Sequence, residues 1–500
     1  MSVVTEVKLI PHGNLQKVGK KGVLNLPLGV SVAGVPVVLA FIGCLARQWY
    51  LAAFLVIVVA VVGAALMLVT VRQGRNIYQR TALRAAHRRA ARTGAGVVVA
   101  GPAGRVPDGS SQVPGLLTSS VLSEHTDSYG NRFGVIRLPK HHQYTVVIEC
   151  FPDGDALVDT ARVNHQVAAW GAWLGELGVE DAVIGASVTV ETAPDPGLRL
   201  RRMVTENIVE GANDFATAVA ADLAGNLTGG SQQVATRVAV TFTGRGVGKT
   251  PRPAEDVTEE IGNLLPTLLA GLTQTGAGLS VRACTAQDIA DFTRVAYDPT
   301  VAARVEQARV EGGTGLRWAD AGPVFADPHL DRYFHDRAVS KSWQMYEGPR
   351  GQFFATALRR ALEPSKKVLR KRVTLLYRPV PAGEAPAMIE GDINNATFAG
   401  STKRRPSARQ VLAQRQAVKA GEEEAQGAGL VRFGLIVTAT VASSEELPAL
   451  SKVIPGLTNQ ARLRIRDAYG NQDVAFQAGL PLGLVLPEHM LLPDRARVWL

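Results

Sequence analysis

The chain has 500 residues, 46% of them hydrophobic and 20% charged, with a formal net charge of +10. That length exceeds one ordinary domain, and an ordinary apolar fraction spread over it excludes a polytopic carrier. The three cysteines, Cys44, Cys150 and Cys284, stand far apart with no CxxC pair, so neither a disulfide framework nor a zinc site is indicated.

Residues 1–25 read as a short basic cytoplasmic arm carrying Lys8, Lys17, Lys20 and Lys21. From 26 to 71 the only charge is Arg47. The runs on either side of it each reach the ~20 residues a helix needs to cross a hydrocarbon core. Arg47 and Gln48 make the turn, and Trp49 and Tyr50 follow where interfacial aromatics prefer to sit. The expectation is a two-helix transmembrane hairpin over 26–71, kinked at Pro36. Lysines before it and seven arginines between 72 and 92 place both termini in the cytoplasm, in a multi-pass protein of the plasma (inner) membrane. A cleaved signal peptide would have a shorter apolar core and no second span so close behind.

Residues 72–115 read as a basic helix extension and a linker. Arg80, Arg84, Arg88 and Arg92 recur at every fourth position among alanines, which predicts a helix with one cationic stripe. Such a stripe is both a stop-transfer flank and a candidate contact for anionic lipid. Gly, Pro and Ser are dense from 93 to 115, with room for one short strand at 97–100.

From 116 onward the rhythm is that of strands and helices in alternation. The spacing and composition predict strands at 144–151, 184–190, 234–242 and 279–283, with helices at 156–177, within 200–227, at 257–272 and at 287–297. The second half predicts strands at 338–346, 372–377, 430–441 and 462–467, and helices at 352–362 and 445–458. Strand–helix–strand units of some 45 residues thus recur at about 144–190, 235–283, 338–377 and 430–467. Sequence identity between them is weak, so this is a likeness of pattern. Such units build α/β and ferredoxin-like split βαβ sheets. The fold class expected is α/β (α+β): a helical hairpin, then repeated strand–helix–strand domains at 116–310 and 332–500, joined by a linker at 311–331. The charged stretch 403–424 is an exposed helix or a flexible crossing.

Several motifs invite chemistry. Residues 243–250 end in Gly248-Lys249-Thr250, the tail of a phosphate-binding loop. Threonine stands at 243 where that loop begins with glycine, and Pro251 and Pro253 oppose a helix opening at Lys249. Asp327, His329, Asp331, His335 and Asp336 could ligate a metal, but their spacing does not place them on one helix face. His141 and His142 read as a polar turn. Asp153 and Asp155 resemble an acidic pair of a glycosyltransferase, although a Pro-Asp-Gly turn explains them as well. No catalytic residue, cofactor or metal is assigned. Arg350, Arg359, Arg360, Lys366, Lys367, Arg370, Lys371 and Arg372 crowd one helix, its exit and the next strand. They are the candidate docking surface for an acidic protein partner. DNA is the less favoured ligand, because Glu363 interrupts the cluster.

Four stretches carry a family resemblance: 336–350 (DRAVSKSWQMYEGPR), 371–379 (KRVTLLYRP), 429–440 (GLVRFGLIVTAT) and 478–483 (AGLPLG). With the N-terminal hairpin they resemble a family of actinobacterial two-span membrane proteins encoded among conjugation-type (type IV secretion-like) genes. The plan also looks like the inner-membrane subunit of conjugation machines fused to the non-catalytic part of the transport ATPase, with the motor missing. The EccE component of type VII secretion shares the architecture. The resemblance implies a non-enzymatic, membrane-anchored subunit of an export machine, oligomeric within a complex, whose partners are a separate ATPase and other membrane subunits. It supplies no catalytic residues. The competing reading is a membrane-tethered enzyme built around Lys249 or around Asp153 and Asp155.

Overall fold

The computed structural model describes residues 12–15 and 28–490, except 69, 73–74, 102–103, 105–109, 153–157, 196, 198–203, 205, 210, 228–231, 247–249, 350, 366–367, 369 and 402–406. The chain divides into two units, one of Gln16–Ala95 and one of Met1–Leu15 with Gly96–Leu500. Strand β1 (His12–Leu15) belongs to the larger unit.

The smaller unit holds α1 (Leu28–Ala46), α2 (Tyr50–Leu68), the short strands β2 (Thr70–Arg72) and β3 (Arg75–Asn76), and α3 (Ile77–Thr93). Neither α1 nor α2 carries a charge, and Gln48, in left-handed conformation, closes the turn between them. Leu51, Phe54, Val59 and Val61 are exposed on α2. Among the described residues no helix is long and apolar enough to cross a membrane. The expected helical hairpin over 26–71 is present as α1 and α2, but its expected membrane-spanning character is not supported by the described residues. α3 bears the expected stripe, with Arg84, Arg88 and Arg92 exposed and Arg80 half-buried.

The larger unit is organised by a 13-stranded sheet in which every pairing is antiparallel. After β4 (Val98–Val99), the hairpin β5 (Val121–Thr126) and β6 (Arg132–Leu138) leads into a βαββαβ unit. That unit runs β7 (Gln143–Cys150), α4 (Thr160–Glu176), β8 (Val183–Pro194), an insertion containing α5 (Asp214–Leu227), β9 (Gln232–Thr243), α6 (Ala254–Thr273) and β10 (Arg282–Ala283). Its strands lie in the order β8-β9-β7, with β10 on the far side of β7. This is the split βαβ arrangement of ferredoxin-like domains. Helices α7 (Ala286–Tyr297) and α8 (Ala302–Val310) follow.

The grammar then repeats. The hairpin β11 (Phe325–Pro328) and β12 (Tyr333–His335) leads into β13 (Ala338–Glu347). Next come β14 (Gly351–Phe353), the one-turn helix α9 (Arg359–Leu362) and β15 (Arg370–Pro379). An insertion of two helices, α10 (Ala385–Ser401) and α11 (Ala408–Ala425), precedes β16 (Val431–Val441), α12 (Leu447–Leu457), β17 (Arg464–Asp467) and α13 (Gln472–Ala478). The order β15-β16-β13, with β17 on the far side of β13, is that of the first unit. The two units join through their second strands, β8 and β15, from Lys371 opposite Thr192 to Tyr377 opposite Ala186. Read outward from that seam, the first five strands correspond in both directions, β8-β9-β7-β6-β5 and β15-β16-β13-β12-β11, and β4 extends the sheet beyond β11. The internal repeat expected from pattern is thus a pseudo-twofold pair of ferredoxin-like units. Strands from 116–310 and 332–500 share one sheet, and 311–331, expected to be a linker, contributes the whole of β11 to it.

Period-two alternation sorts the side chains. Tyr144, Val146, Ile148 and Cys150 face a core with Trp173, Leu174 and Leu177 and with Val257, Ile261, Leu265 and Leu272 of α6. In the second unit Val339, Trp343, Val373, Leu435 and Val437 meet Leu447, Leu450 and Ile454 of α12. The opposite face is shared by both units and is covered by α7, α13 and the segment after it, with Ile289, Tyr297, Phe476, Leu480, Leu482 and Leu484 buried. That segment crosses a row of paired hydroxyls: Thr145 with Thr241, Thr189 with Thr374, and Ser342 with Thr438. Thr241 donates to the Gly483 carbonyl at 2.8 Å and Thr374 to the Gly479 carbonyl at 2.7 Å. Hydroxyls are needed here because carbonyls laid on a purely apolar face would be left unpaired. Gly483 has φ +67°, and a Cβ there would stand 2.2 Å from the Thr145 side chain.

Candidate functional site

The basic cluster does not form one surface. Arg350, Lys366 and Lys367 lie outside the described residues. Arg359 and Arg360 are exposed on α9, with Arg359 Nε 2.5 Å from Glu363. The expected helix 352–362 is instead β14, a 3-10 turn at Ala355–Leu358 and the single turn α9. Arg370, Lys371 and Arg372 are buried in β15 and cannot meet a partner, which corrects their inclusion in a docking surface. The reason is position: β15 is a central strand, so alternation sends 370 and 372 to one covered face and 371 to the other.

These buried cations share what the fold offers, and Arg372 Nη1 is left without a hydrogen bond. Arg370 Nη1 lies 2.9 Å from Glu191, which is also the cross-strand partner of Arg372. Burial alone would raise the Glu191 carboxyl, but Arg372 and Arg370 together hold it below its ordinary value. The Arg372 guanidinium rests over the Phe476 ring at 4.8 Å. Lys371 donates to the Glu363 carbonyl, and burial pushes its ammonium down to about 8. On the same sheet face as Glu191, Glu149 takes Arg237 at 3.2 Å and Arg282 at 2.5 Å, and Arg282 reaches Asp288 at 2.7 Å. Burial would raise Asp288, yet its hydrogen bond to Arg282 and its neighbour Arg309 hold it well below the carboxylate range.

The sequence-nominated motifs separate in space. Gly248 and Lys249 lie outside the described residues, as do Asp153 and Asp155. The flanks of the glycine loop return on themselves, with Gly246 N–H donating to Thr250 O and Arg252 N–H to Gly244 O. The following helix α6 opens only at Ala254, behind Pro253, so Thr250 does not begin a helix as a phosphate loop requires. In the 327–336 group, His329 pairs with Asp327 at 3.1 Å and Asp331 with Arg332 at 3.0 Å. Asp336 accepts the backbone N–H groups of Val324 and Phe325 and binds Arg294 at 2.7 Å. Among the described residues no three His, Cys, Asp or Glu side chains are grouped to hold a metal. The His141 ring lies against His489, centroids 4.0 Å apart and tilted by 50°. Burial pushes the Cys150 and Cys284 thiols up to about 12, which makes them poor nucleophiles.

One arrangement was not legible in the sequence. His335 Nδ1 lies 2.6 Å from the Tyr297 carbonyl and Nε2 lies 2.7 Å from Ser340 Oγ, which lies 2.8 Å from Thr440 Oγ1. A carbonyl only accepts, so Nδ1 carries the proton and Ser340 donates to Nε2. This has the form of a serine and its base, but His335 and Ser340 are both 0% exposed, so no substrate reaches them. The group ties α7, β12, β13 and β16 together. Burial pushes His335 down to about 4, which keeps it neutral. The signal in the sequence is only a His-x4-Ser spacing, since Tyr297 and Thr440 are contributed from far along the chain.

No protein-family model matches the chain, and no curated protein matches it. What the geometry defines is a class: a duplicated ferredoxin-like unit on one antiparallel sheet, and a separate apolar helical hairpin.

Proposed function

We propose that this chain is a membrane-anchored, non-enzymatic subunit of a conjugation- or secretion-type export machine, and that its sheet unit sits in the cytoplasm to dock a separate transport ATPase. One observation carries the reading. α1 and α2 are each 19 residues long, carry no charge, and stand in a unit of their own with large apolar side chains exposed. At 1.5 Å per residue each is roughly 28 Å long, close to the ~30 Å of a hydrocarbon core. Such surface in water would be an aggregation hazard. The cationic face of α3 then meets anionic headgroups, at about 1 kcal/mol for each arginine near the surface. The resemblance of 336–350, 371–379, 429–440 and 478–483 to conjugation-associated membrane proteins supports the setting. Arg359 and Arg360 remain the exposed part of the candidate docking surface.

The test is deletion of residues 16–95, which leaves β1 in place. The full chain is expected to stay with membranes through alkaline carbonate washing, and the deletion variant to become soluble. Reporters fused at either terminus should read cytoplasmic. An externally active reporter at the C-terminus, or a deletion variant that still pellets after carbonate washing, would overturn the anchor.

A further inference from the structure

The two ends of the sheet are finished differently. β5 and β11 hold equivalent places, each the fifth strand out from the seam. The outer edge of β11 is covered by β4, with Phe325 opposite Val99 and Ala326 opposite Val98, and Ala100 N–H donates to the Val324 carbonyl at 2.7 Å. β5 pairs with β6 and carries no strand on its outer edge. Gly134 N–H donates to the Cys284 carbonyl at 2.8 Å, on the side of β6 away from β5. Glu124 is the register partner of Gly134, so its own N–H and C=O point out from the sheet, as do those of Leu122 and Thr126 by alternation. Among the described residues no hydrogen bond reaches these groups.

Open edges are templates for further pairing, and proteins blunt them with lysine, proline, bulges or very short strands. β5 uses none of these devices. It is six residues long, VLSEHT, without Lys or Pro, and its pairing with β6 runs without a register shift. None of its residues is buried. Its one carboxylate is held within its own copy: Glu124 Oε2 accepts the Ala286 N–H at 3.2 Å, and Oε1 takes Arg132 at 3.2 Å.

We propose that two copies of this chain pair through β5 across a twofold axis, so that one antiparallel sheet runs through both. Three observations select a second copy as the occupant. A twofold brings identical strands together antiparallel, the orientation of every pairing in this sheet. The molecule already contains the same operation, since β8 and β15 are equivalent strands of the two units and join antiparallel at the seam. Finally, β5 is self-complementary in one register. With the axis at Ser123, Leu122 faces Glu124 of the second copy and Val121 faces its His125, so the outward backbone groups of both strands are mated. An axis at Glu124 would instead set two carboxylates directly opposite each other. The other end of the sheet finishes in the two-residue β4, a blunted edge, so pairing stops at the dimer. The proposal does not rest on the membrane reading above.

The experiment uses the full chain in detergent micelles. In a Cys44→Ser background the remaining native thiols, Cys150 and Cys284, are buried. Ser123→Cys is expected to give a disulfide-linked dimer on mild oxidation, because directly opposed residues of a non-hydrogen-bonded pair stand ~4.5 Å apart at Cα. Glu124→Cys is expected to stay unlinked, since in this register the two copies of residue 124 are roughly 8 Å apart. Sedimentation equilibrium of unoxidised protein then tests the backbone. Glu124→Pro removes an N–H that β6 does not use, so each copy loses one mated donor and association should weaken about 30-fold or more. Glu124→Ala loses the same side-chain contacts but keeps the N–H, and should match the parent within about threefold. A parent that stays monomeric at every concentration overturns the proposal. Equal disulfide yields at 123 and 124 overturn it, as does a Glu124→Ala variant that dissociates as far as Glu124→Pro. Where Glu124→Pro loses the far-ultraviolet spectrum of the parent, the disulfide contrast decides alone. Every sample retains the apolar hairpin, so association through α1 and α2 would appear as a dimer without that contrast, and none of these failures bears on the anchor.

Discussion

Glu191 neutralises two buried guanidiniums from one carboxylate, and that asymmetry sets the order of substitution effects. Glu191→Gln leaves Arg370 and Arg372 facing each other without an anion and is expected to cost ~3–5 kcal/mol. Arg372→Met leaves Glu191 paired with Arg370 and packs a flexible apolar chain against Phe476, so its cost should be about 1–2 kcal/mol. Urea unfolding of both variants checks the order, and an equal or reversed ranking would refute this account of the seam. His335 makes a prediction in pH. Its ordinary value is 6.5 and the fold holds it at about 4, so between those values the unfolded chain binds more protons. Stability from this site is complete above pH 6.5 and is lost progressively down to about pH 4, a total of about 3 kcal/mol. The difference in unfolding free energy between about pH 7.5 and about pH 5 should shrink in His335→Gln. A variant that keeps the full difference would assign it to another group.

The segment after α13 is held by two glycine carbonyls, and only one of those glycines is conformationally obliged to be glycine. Gly483→Ala combines a left-handed backbone with a Cβ driven into Thr145 and Thr241, and should cost more than ~2 kcal/mol. Gly130→Ala provides the control: its φ is +84° but nothing lies within 4 Å of the added carbon, so only the backbone cost of about 1 kcal/mol applies. Thermal melting of the two variants separates close approach from strain, and equal shifts would show that the segment is not seated on the hydroxyl row. The long strands were legible because both faces are covered, giving runs such as 144–150 and 431–441 dense in branched side chains. The helices α4, α6, α7 and α12 were legible from apolar spacing. The hairpin β11–β12 was hidden, because its two short strands carry Pro, Asp and His, which read as turn. The span 352–362 was read as helix because Ala, Leu and Arg favour one, while the chain there turns too often to sustain it.

At the scale of the molecule, the second half is a structural copy of the first with almost no shared residues, which is why pattern and not identity revealed it. The seam was beyond sequence, since β8 and β15 each look like ordinary interior strands and nothing in either names its neighbour. The same blindness applied to the docking cluster: a run of cations reads as surface until the sheet order shows that β15 is central. A shared seam and a shared core face predict one cooperative unit. Residues 96–310 or 311–500 expressed alone should lack native near-ultraviolet signals, because each would expose the long edge of β8 or β15. Co-expressed, the halves should reassociate. Independent folding of either half, read by dispersed amide resonances, would show that the seam is a docking contact between finished domains.

The strand β1 pairs with β14, His12 opposite Phe353 and Leu15 opposite Gly351. Its partner is therefore synthesised about 340 residues after it. At ~5–20 residues per second the first strand waits roughly 15–70 s on the ribosome before anything exists to receive it. The order of manufacture is thus fixed: the apolar hairpin is out first, the first ferredoxin-like unit second, and the loop that captures the beginning of the chain comes late. A ribosome stalled before residue 351 leaves a product whose His12–Leu15 strand has no partner, and a protease site placed within that strand would report completion of synthesis as a loss of cleavage.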